Sequence, residues 1–84
     1  MGVVSRPPIQ DVPVAEHPIR LGQFLKLAGL AEHGAHAREL LEDEQVQVNG
    51  RLETRRGAQL SAGDVVAVGG QRARVAQPPT ASST

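Results

Sequence analysis

Arginine is the residue type whose placement in this chain points to chemistry with a ligand. The guanidinium group is always charged, and its planar fork donates paired hydrogen bonds to phosphate or carboxylate oxygens. Five arginines lie around a Val48-Asn49-Gly50 turn and near two segments of helical periodicity, namely Arg20, Arg38, Arg51, Arg55 and Arg56. Taken alone, a pair such as Arg55-Arg56 is more typical of a solvated surface. Its interpretation therefore depends on the elements that position it.

Other residues that could do chemistry lack the partners they would need. His33 and His36 are spaced as metal ligands can be, but the chain has no cysteine and no later histidine to complete a site. Exposed histidines that face a ligand are the better interpretation. Ser61 has no histidine and aspartate that the sequence can place beside it, and Gly69-Gly70 is not followed by the Lys-Ser/Thr of a phosphate loop. We therefore expect neither an enzyme nor a bound metal or cofactor.

The length of 84 residues allows one domain with a modest core. Residues 1–18 are interrupted by prolines, and residues 77–84 consist only of Gln, Pro, Thr, Ala and Ser. Neither segment has the apolar content to offset its chain entropy, so we expect two disordered tails around a domain of residues 19–76. No apolar run resembles a signal peptide or a membrane span, which predicts a cytoplasmic protein without membrane contact.

Apolar residues recur with helical spacing in two segments. The stripe over residues 19–30 consists of Leu21, Phe24, Leu25 and Ala28. Gly29 is a stop signal for this helix, and residues 31–34 form a connector. A second, shorter helix is predicted over residues 35 to about 43. Because the connector is short, the two helices should form an antiparallel or angled hairpin.

The periodicity then changes to two, and the register of the first hairpin has to be chosen. Val46 and Val48 alternate with glutamines, and Asn49-Gly50 marks a turn. A two-residue loop would put Leu52 on the opposite face from the valines. A three-residue loop pairs Val48 with Leu52 and gathers the apolar side chains. We prefer this second register, which also moves Arg51 to the loop tip.

A second hairpin is predicted downstream. Residues 65–68 and 72–75 flank Gly69-Gly70, with Ala73 and Val75 facing inward. Two helices followed by four strands predict an α+β fold, with two short helices packed on a small antiparallel sheet of about three to five strands.

Placed in order, these pieces form a recognisable series. Its members are Arg20-Leu21, Phe24-Leu25, Gly29-Leu30, Ala37-Arg38, Leu40-Leu41, Val46-Gln47-Val48-Asn49-Gly50 and the Leu-Ser-Ala-Gly-Asp-Val-Val run of residues 60–66. The series resembles the S4 RNA-binding domain, the α-L motif of a ribosomal protein, pseudouridine synthases and a heat-shock ribosome-binding protein. Val48-Asn49-Gly50 followed by Glu53-Thr54-Arg55-Arg56 is similar to the small stand-alone bacterial proteins of the YbcJ type. The resemblance covers residues 19–75.

The resemblance implies an RNA-binding surface made by the helix–helix connector, the start of the second helix and the first hairpin. On this chain the residues that would contact RNA are Arg20, His36, Arg38, Asn49, Gly50, Arg51, Arg55 and Arg56. Phe24 is the only aromatic residue and lies on the inward stripe, so a base-stacking platform is not expected. The implied partner is structured RNA such as rRNA or tRNA, or a ribosomal particle, bound by a monomer.

Three positions depart from the family pattern. Ser is common where His33 stands, Gly where Glu44 stands and Lys where Gln47 stands. We expect His33 to be a poorer helix cap and the affinity for RNA to be lower than in basic members. These changes and the net charge of zero favour an alternative, in which the chain is a protein-interaction adaptor with the S4 fold but little RNA affinity.

The acidic run Glu42-Asp43-Glu44 allows two interpretations. It lies at the predicted C-terminus of the second helix, where the helix dipole disfavours anions. The acids are then either tolerated surface charges or partners of Arg55 or Arg56 that compete with RNA.

Overall fold

Two helices and two sheets make up the part of the chain that the computed structural model describes, residues 9–15 and 18–77. The elements are β1 Gln10–Pro13, β2 Ile19–Arg20, α1 Leu21–Leu27, α2 Gly34–Glu42, β3 Val46–Val48, β4 Arg51–Leu52, β5 Gln59–Leu60, β6 Val65–Val68 and β7 Gln71–Ala76. The main sheet has the order β1-β7-β6-β3-β4, and β2 pairs with β5 in a separate two-stranded sheet. None of the described helices is long and apolar enough to cross a membrane.

Helix α1 buries the predicted apolar stripe but is shorter than predicted. Leu21, Phe24 and Leu25 are fully buried. The helix ends where Gly29 takes a φ of 77°, and the N–H of Leu30 donates to the carbonyl of Leu25 at 2.9 Å. This arrangement is a Schellman motif, in which glycine adopts the left-handed conformation at no steric cost. At the other end, residues 19 and 20 belong to β2 instead of the helix.

Helix α2 is held at both ends by residues that depart from the family pattern. His33 does cap the helix, because its Nδ1 accepts a hydrogen bond from the N–H of His36 at 3.1 Å. At the other end Glu44 has a φ of 58°. The N–H groups of Glu44 and Gln45 donate to the carbonyls of Leu41 and Leu40 at 3.1 and 3.0 Å. A glutamate thus stands at the left-handed position of a second Schellman motif, where glycine is preferred.

The predicted register of the first hairpin is wrong. Val48 pairs with Arg51 and Gln47 pairs with Leu52, so the loop is the two-residue Asn49-Gly50. Both loop residues have positive φ, 54° and 83°, as a type I′ turn requires, and the twist of such a turn matches that of the strands. Leu52 consequently lies on the face of the sheet away from the valines, 51% exposed.

The second hairpin is confirmed, and its edge carries a strand that the sequence analysis missed. Ala73 and Val75 of β7 are buried as predicted. Strand β1 pairs with β7 in parallel, so the sheet is mixed and not purely antiparallel. Val12 and Val14 are buried, and the N–H of Val14 donates to the carbonyl of Ala76 at 2.8 Å.

The prediction that residues 1–18 form a tail is therefore wrong for residues 10–14. Their alternating pattern is too short to stand out in the sequence, and the apolar surface that Val12 and Val14 cover belongs to a strand some sixty positions later, Val12 being the register partner of Val75. Pro13 is tolerated because β1 is an edge strand. Most of the predicted tails, residues 1–8 and 78–84, lies outside the described residues.

Candidate functional site

A cleft of about 460 Å³ opens where the first turns of α1 and α2 meet the loop between β4 and β5. Its lining consists of Arg20, Gly22, Gln23, Lys26, Gly34, Ala37, Arg56 and Gly57. Three of these residues are cations and none is an acid. The cleft is therefore electrostatically suited to an anion.

The loop before β5 is bound to the start of α1, and this contact positions Arg56. The N–H groups of Leu21 and Gly22 donate to the carbonyls of Ala58 and Arg56 at 2.7 and 3.0 Å. These bonds satisfy helix donors that have no partner within the helix. A Cβ at Gly22 would lie 2.5 Å from Cγ of Arg56, so a larger residue there would force the Arg56 side chain to shift. Arg20 is held by the pairing of β2 with β5, opposite Gln59.

The described ion pairs divide the arginines into two groups. Arg38 pairs with Glu42 at 3.2 Å, Arg55 with Glu53 at 3.3 Å and Arg74 with Asp11 at 2.7 Å, each through Nε. By contrast, no carboxylate of the described residues pairs with Arg20, Lys26 or Arg56. The cations of the cleft are thus uncompensated within the described chain.

Arg20 and Arg56, two of the predicted residues, line the same cleft, and other predicted residues lie around them. Arg38 lines a smaller cleft with Thr54, and Arg56 borders this cleft as well. The Arg55 side chain is 80% exposed and forms an ion pair with Glu53, two positions earlier in the chain. Arg51 is exposed on β4, on the same face as its register partner Val48.

Lys26 is the cation of the cleft that the sequence analysis missed, because only arginines were considered there as cationic contacts. A signal was present: Lys26 follows Gln23 by three positions on the exposed side of α1, and residues three apart are neighbours on a helix surface.

Asn49 has a structural role in the described chain. Its side-chain amide donates to Oδ1 of Asp64 at 3.1 Å and accepts from the N–H of Val65 at 3.0 Å. Asp64 in turn accepts from the N–H of Ser61 at 2.9 Å through Oδ2. The tip of the first hairpin is thereby tied to the turn before β6. Gly50 completes the type I′ turn beside it.

The two histidines are used for local hydrogen bonding. His33 caps α2, and Nδ1 of His36 accepts from the N–H of Glu32 at 3.0 Å. The Nδ1 atoms of both histidines are thus engaged in hydrogen bonds with the backbone. Within residues 9–15 and 18–77, no group of three or more potential ligands is arranged to hold a metal ion.

Two carboxylates are perturbed by their arginine partners. A hydrogen bond from Arg74 lowers the pKa of Asp11 below its usual value. The backbone N–H of Arg55, and secondarily its side chain, lower the pKa of Glu53. The hypothesis that the run 42–44 pairs with Arg55 or Arg56 is wrong. Arg55 is bound to Glu53, Glu42 is bound to Arg38, and no described carboxylate pairs with Arg56.

The fold is an α+β domain with a three-cation cleft at the junction of two helices and a loop. The S4 domain model matches residues 12–76 of this chain, and the chain belongs to the S4 domain family. This match begins within β1, at Val12, whereas the resemblance began at residue 19.

Relatives of known sequence and structure agree with this assignment. The chain is 46% identical over 52 residues to a probable ribosome maturation protein, RlbA, of Bacillus subtilis, covering 62% of this chain and 73% of that protein. It is 36% identical over 63 residues to a putative RNA-binding protein, YbcJ, of Escherichia coli, covering 74% and 90%. The solution structure of E. coli YbcJ, described as having an αL motif involved in RNA binding, superimposes with a TM-score of 0.66 at 30% identity, covering 90% of this chain and 98% of that one.

Proposed function

We propose that this protein is a non-catalytic module that binds structured RNA through its phosphates, with Arg20, Lys26 and Arg56 as the central contacts. The observation that carries this proposal is that these three uncompensated cations line one cleft. RNA phosphates are held by charge and hydrogen bonding, and arginine supplies both. Gly34 at the first turn of α2 also lines the cleft, where the positive end of the helix dipole adds to the attraction.

The remaining predicted contacts extend this surface. Arg38 joins it through the cleft that it shares with Arg56, and His36 lies on the first turns of α2. Arg51 and Arg55 would reach RNA from β4 and the loop after it, while Asn49 and Gly50 act by shaping the hairpin. Arg38 and Arg55 must leave their carboxylate partners to bind phosphate, so they contribute less than the cations of the cleft.

Structured RNA is favoured over single strands by the absence of an aromatic platform. Phe24 is the only aromatic residue of the chain and is fully buried. Single-stranded RNA is generally read by stacking on exposed rings, whereas folded RNA is read through shape and backbone contacts. The name of the B. subtilis relative, a probable ribosome maturation protein, supports rRNA or ribosomal particles as the source of that RNA.

A charge-matched pair of variants tests this proposal. Lys26→Gln/Arg56→Gln removes two cleft cations, and Arg72→Gln/Arg74→Gln removes two charges from the opposite face of the sheet. Binding to purified rRNA and tRNA is measured by fluorescence anisotropy across a salt series. The cleft variant should bind at least tenfold more weakly and lower the slope of log K against log salt by about 0.7–0.9 per lost contact. Equal losses in the two variants would contradict the proposed site, and a wild-type protein that binds no RNA would contradict the function.

One observation favours a protein-interaction adaptor as the second candidate. Leu52 is exposed on the outer face of the sheet, in a row with Gln47, Ala67 and Arg72. Partners that remain bound after RNase treatment and that are lost in Leu52→Ala would support this candidate over RNA binding.

A further inference from the structure

A second, more apolar groove lies beside the cationic cleft. Its volume is about 640 Å³, within the range of about 300–1,000 Å³ that is common for small-ligand sites. Val14, Pro18 and Leu27 are among its apolar walls, and its polar side chains are those of Gln23 and Lys26.

Leu27 is unusual among the apolar residues of the described chain. Its side chain is 55% exposed, and Leu52 is the only other large hydrophobic residue in residues 9–15 and 18–77 that is exposed to this degree. Leu27 lies at the end of α1, one position after Lys26. An apolar partner at this point would bury surface that now faces water, which is favourable in proportion to the area covered.

The groove and the cationic cleft are contiguous. Gln23 and Lys26 line both, so a ligand that crosses these two side chains reaches both sites. Among residues 9–15 and 18–77, no carboxylate lines either site. A ligand suited to both sites has an anionic group joined to a largely apolar group with a polar atom that can bond with an amide. A single nucleotide has these properties, because its base is apolar on its faces and polar on its edge.

We propose that an unpaired nucleotide of the bound RNA straddles Gln23 and Lys26, with its phosphate in the cationic cleft and its base in the apolar groove against Leu27. The Gln23 amide, which has no hydrogen-bond partner among the described residues, bonds to the edge of the base. A paired base cannot enter, since its edge is already bonded and its faces are stacked. This inference rests on the proposed function and adds to it a preference for RNA with a bulged nucleotide.

Three RNA hairpins of one sequence test the inference. The first is fully paired, the second has a single bulged adenosine, and the third has an abasic residue at the bulge, which keeps the phosphate and the backbone geometry. Wild-type protein should bind the bulged adenosine about fivefold more tightly than the abasic bulge. This is the lower end of the range for one base stacked on an aromatic side chain, because the groove is aliphatic. Leu27→Ala should abolish that preference. Leu52→Ala, an equally exposed leucine on the outer face of the sheet, should retain it.

The outcomes separate this inference from the proposed function. If the wild-type protein binds the three hairpins equally, and Lys26→Gln/Arg56→Gln still weakens all of them, the nucleotide subsite is refuted while RNA binding stands. If the protein binds no hairpin and no natural RNA, both proposals fail. If an acidic, leucine-containing peptide competes with the hairpins and Leu27→Ala weakens only the peptide, the groove belongs to a protein partner and the nucleotide subsite is refuted.

Discussion

At the residue scale, ion pairs with carboxylates distinguish Arg38 and Arg55 from the cations of the cleft, which have no carboxylate partner among the described residues. The ion pair of Arg38 with Glu42 spans one turn of α2, and both side chains are well exposed, at 68% and 64%. Exposed pairs of this kind contribute about 0–1 kcal/mol, so RNA can displace the carboxylate at a small cost. Glu53 acts in the same way on Arg55, at a distance of 3.3 Å.

We predict that Glu42→Gln increases RNA affinity more than Asp43→Asn does. Both substitutions remove one negative charge at neighbouring positions, but only Glu42 is bound to an arginine. Breaking the pair should release up to about 1 kcal/mol, or roughly fivefold in affinity, beyond the general charge effect seen in the control. Anisotropy titrations at low salt measure the difference, and equal gains in the two variants would show that Glu42 does not compete for Arg38.

At the scale of elements, α2 combines one satisfied end and one strained end. His33 caps its first turn with a side-chain hydrogen bond. At the other end, Glu44 has a left-handed backbone that costs an L-residue roughly 1–2 kcal/mol. Its negative charge also lies next to the negative end of the helix dipole. Two backbone hydrogen bonds stabilise this turn, and the chain enters β3 directly after it.

Glu44→Gly should therefore stabilise the protein by about 1 kcal/mol, as measured by urea unfolding. Glu44→Gln separates charge from conformation, and it should recover only the few tenths of a kcal/mol that come from the dipole. Asp43→Gly, at a residue with a φ of −84°, should destabilise. A Gln variant as stable as the Gly variant would mean that the left-handed conformation carries no cost here.

At the scale of the whole molecule, β1 forms an edge of the five-stranded sheet by pairing with β7, the last strand in the sequence. Val12 and Val14 complete the core beside Val75, and on the outer face Asp11 bonds to Arg74 at 2.7 Å. The parallel pairing of β1 with β7 covers a sheet edge that would otherwise present unpaired backbone groups.

The ion pair of β1 makes its contribution to stability depend on pH. The pKa of Asp11 is lowered in the folded state by Arg74, so the stabilisation is present above the unfolded pKa, near 3.8, and is lost as the pH falls through the lower folded value. Asp11→Asn should be less stable than wild type at pH 7, and the two proteins should converge as the pH falls below the folded pKa of Asp11. Thermal melts across this range measure the difference, and a gap that stays constant in acid would refute the role of the pair.

The sequence by itself determined the elements whose evidence is local. The apolar stripe of α1, the alternation around β3 and the hairpin of β6 and β7 each arise from neighbouring residues, because helices and strands impose their periods within a few positions. The ordered series of these elements also carried the family resemblance. Of the candidate site, the sequence indicated Arg20 and Arg56, because an arginine is a candidate phosphate contact by its residue type alone.

Only the tertiary structure decided what depends on residues far apart in the chain. The hairpin register is supported by the bonds of Asn49 to Asp64 and Val65, partners that no local pattern reveals, whereas apolar pairing alone favoured the wrong register. Strand β1 forms because a distant strand leaves an edge to cover. The cleft joins three segments of the chain, and it includes Lys26 only because α1, α2 and the loop before β5 converge there.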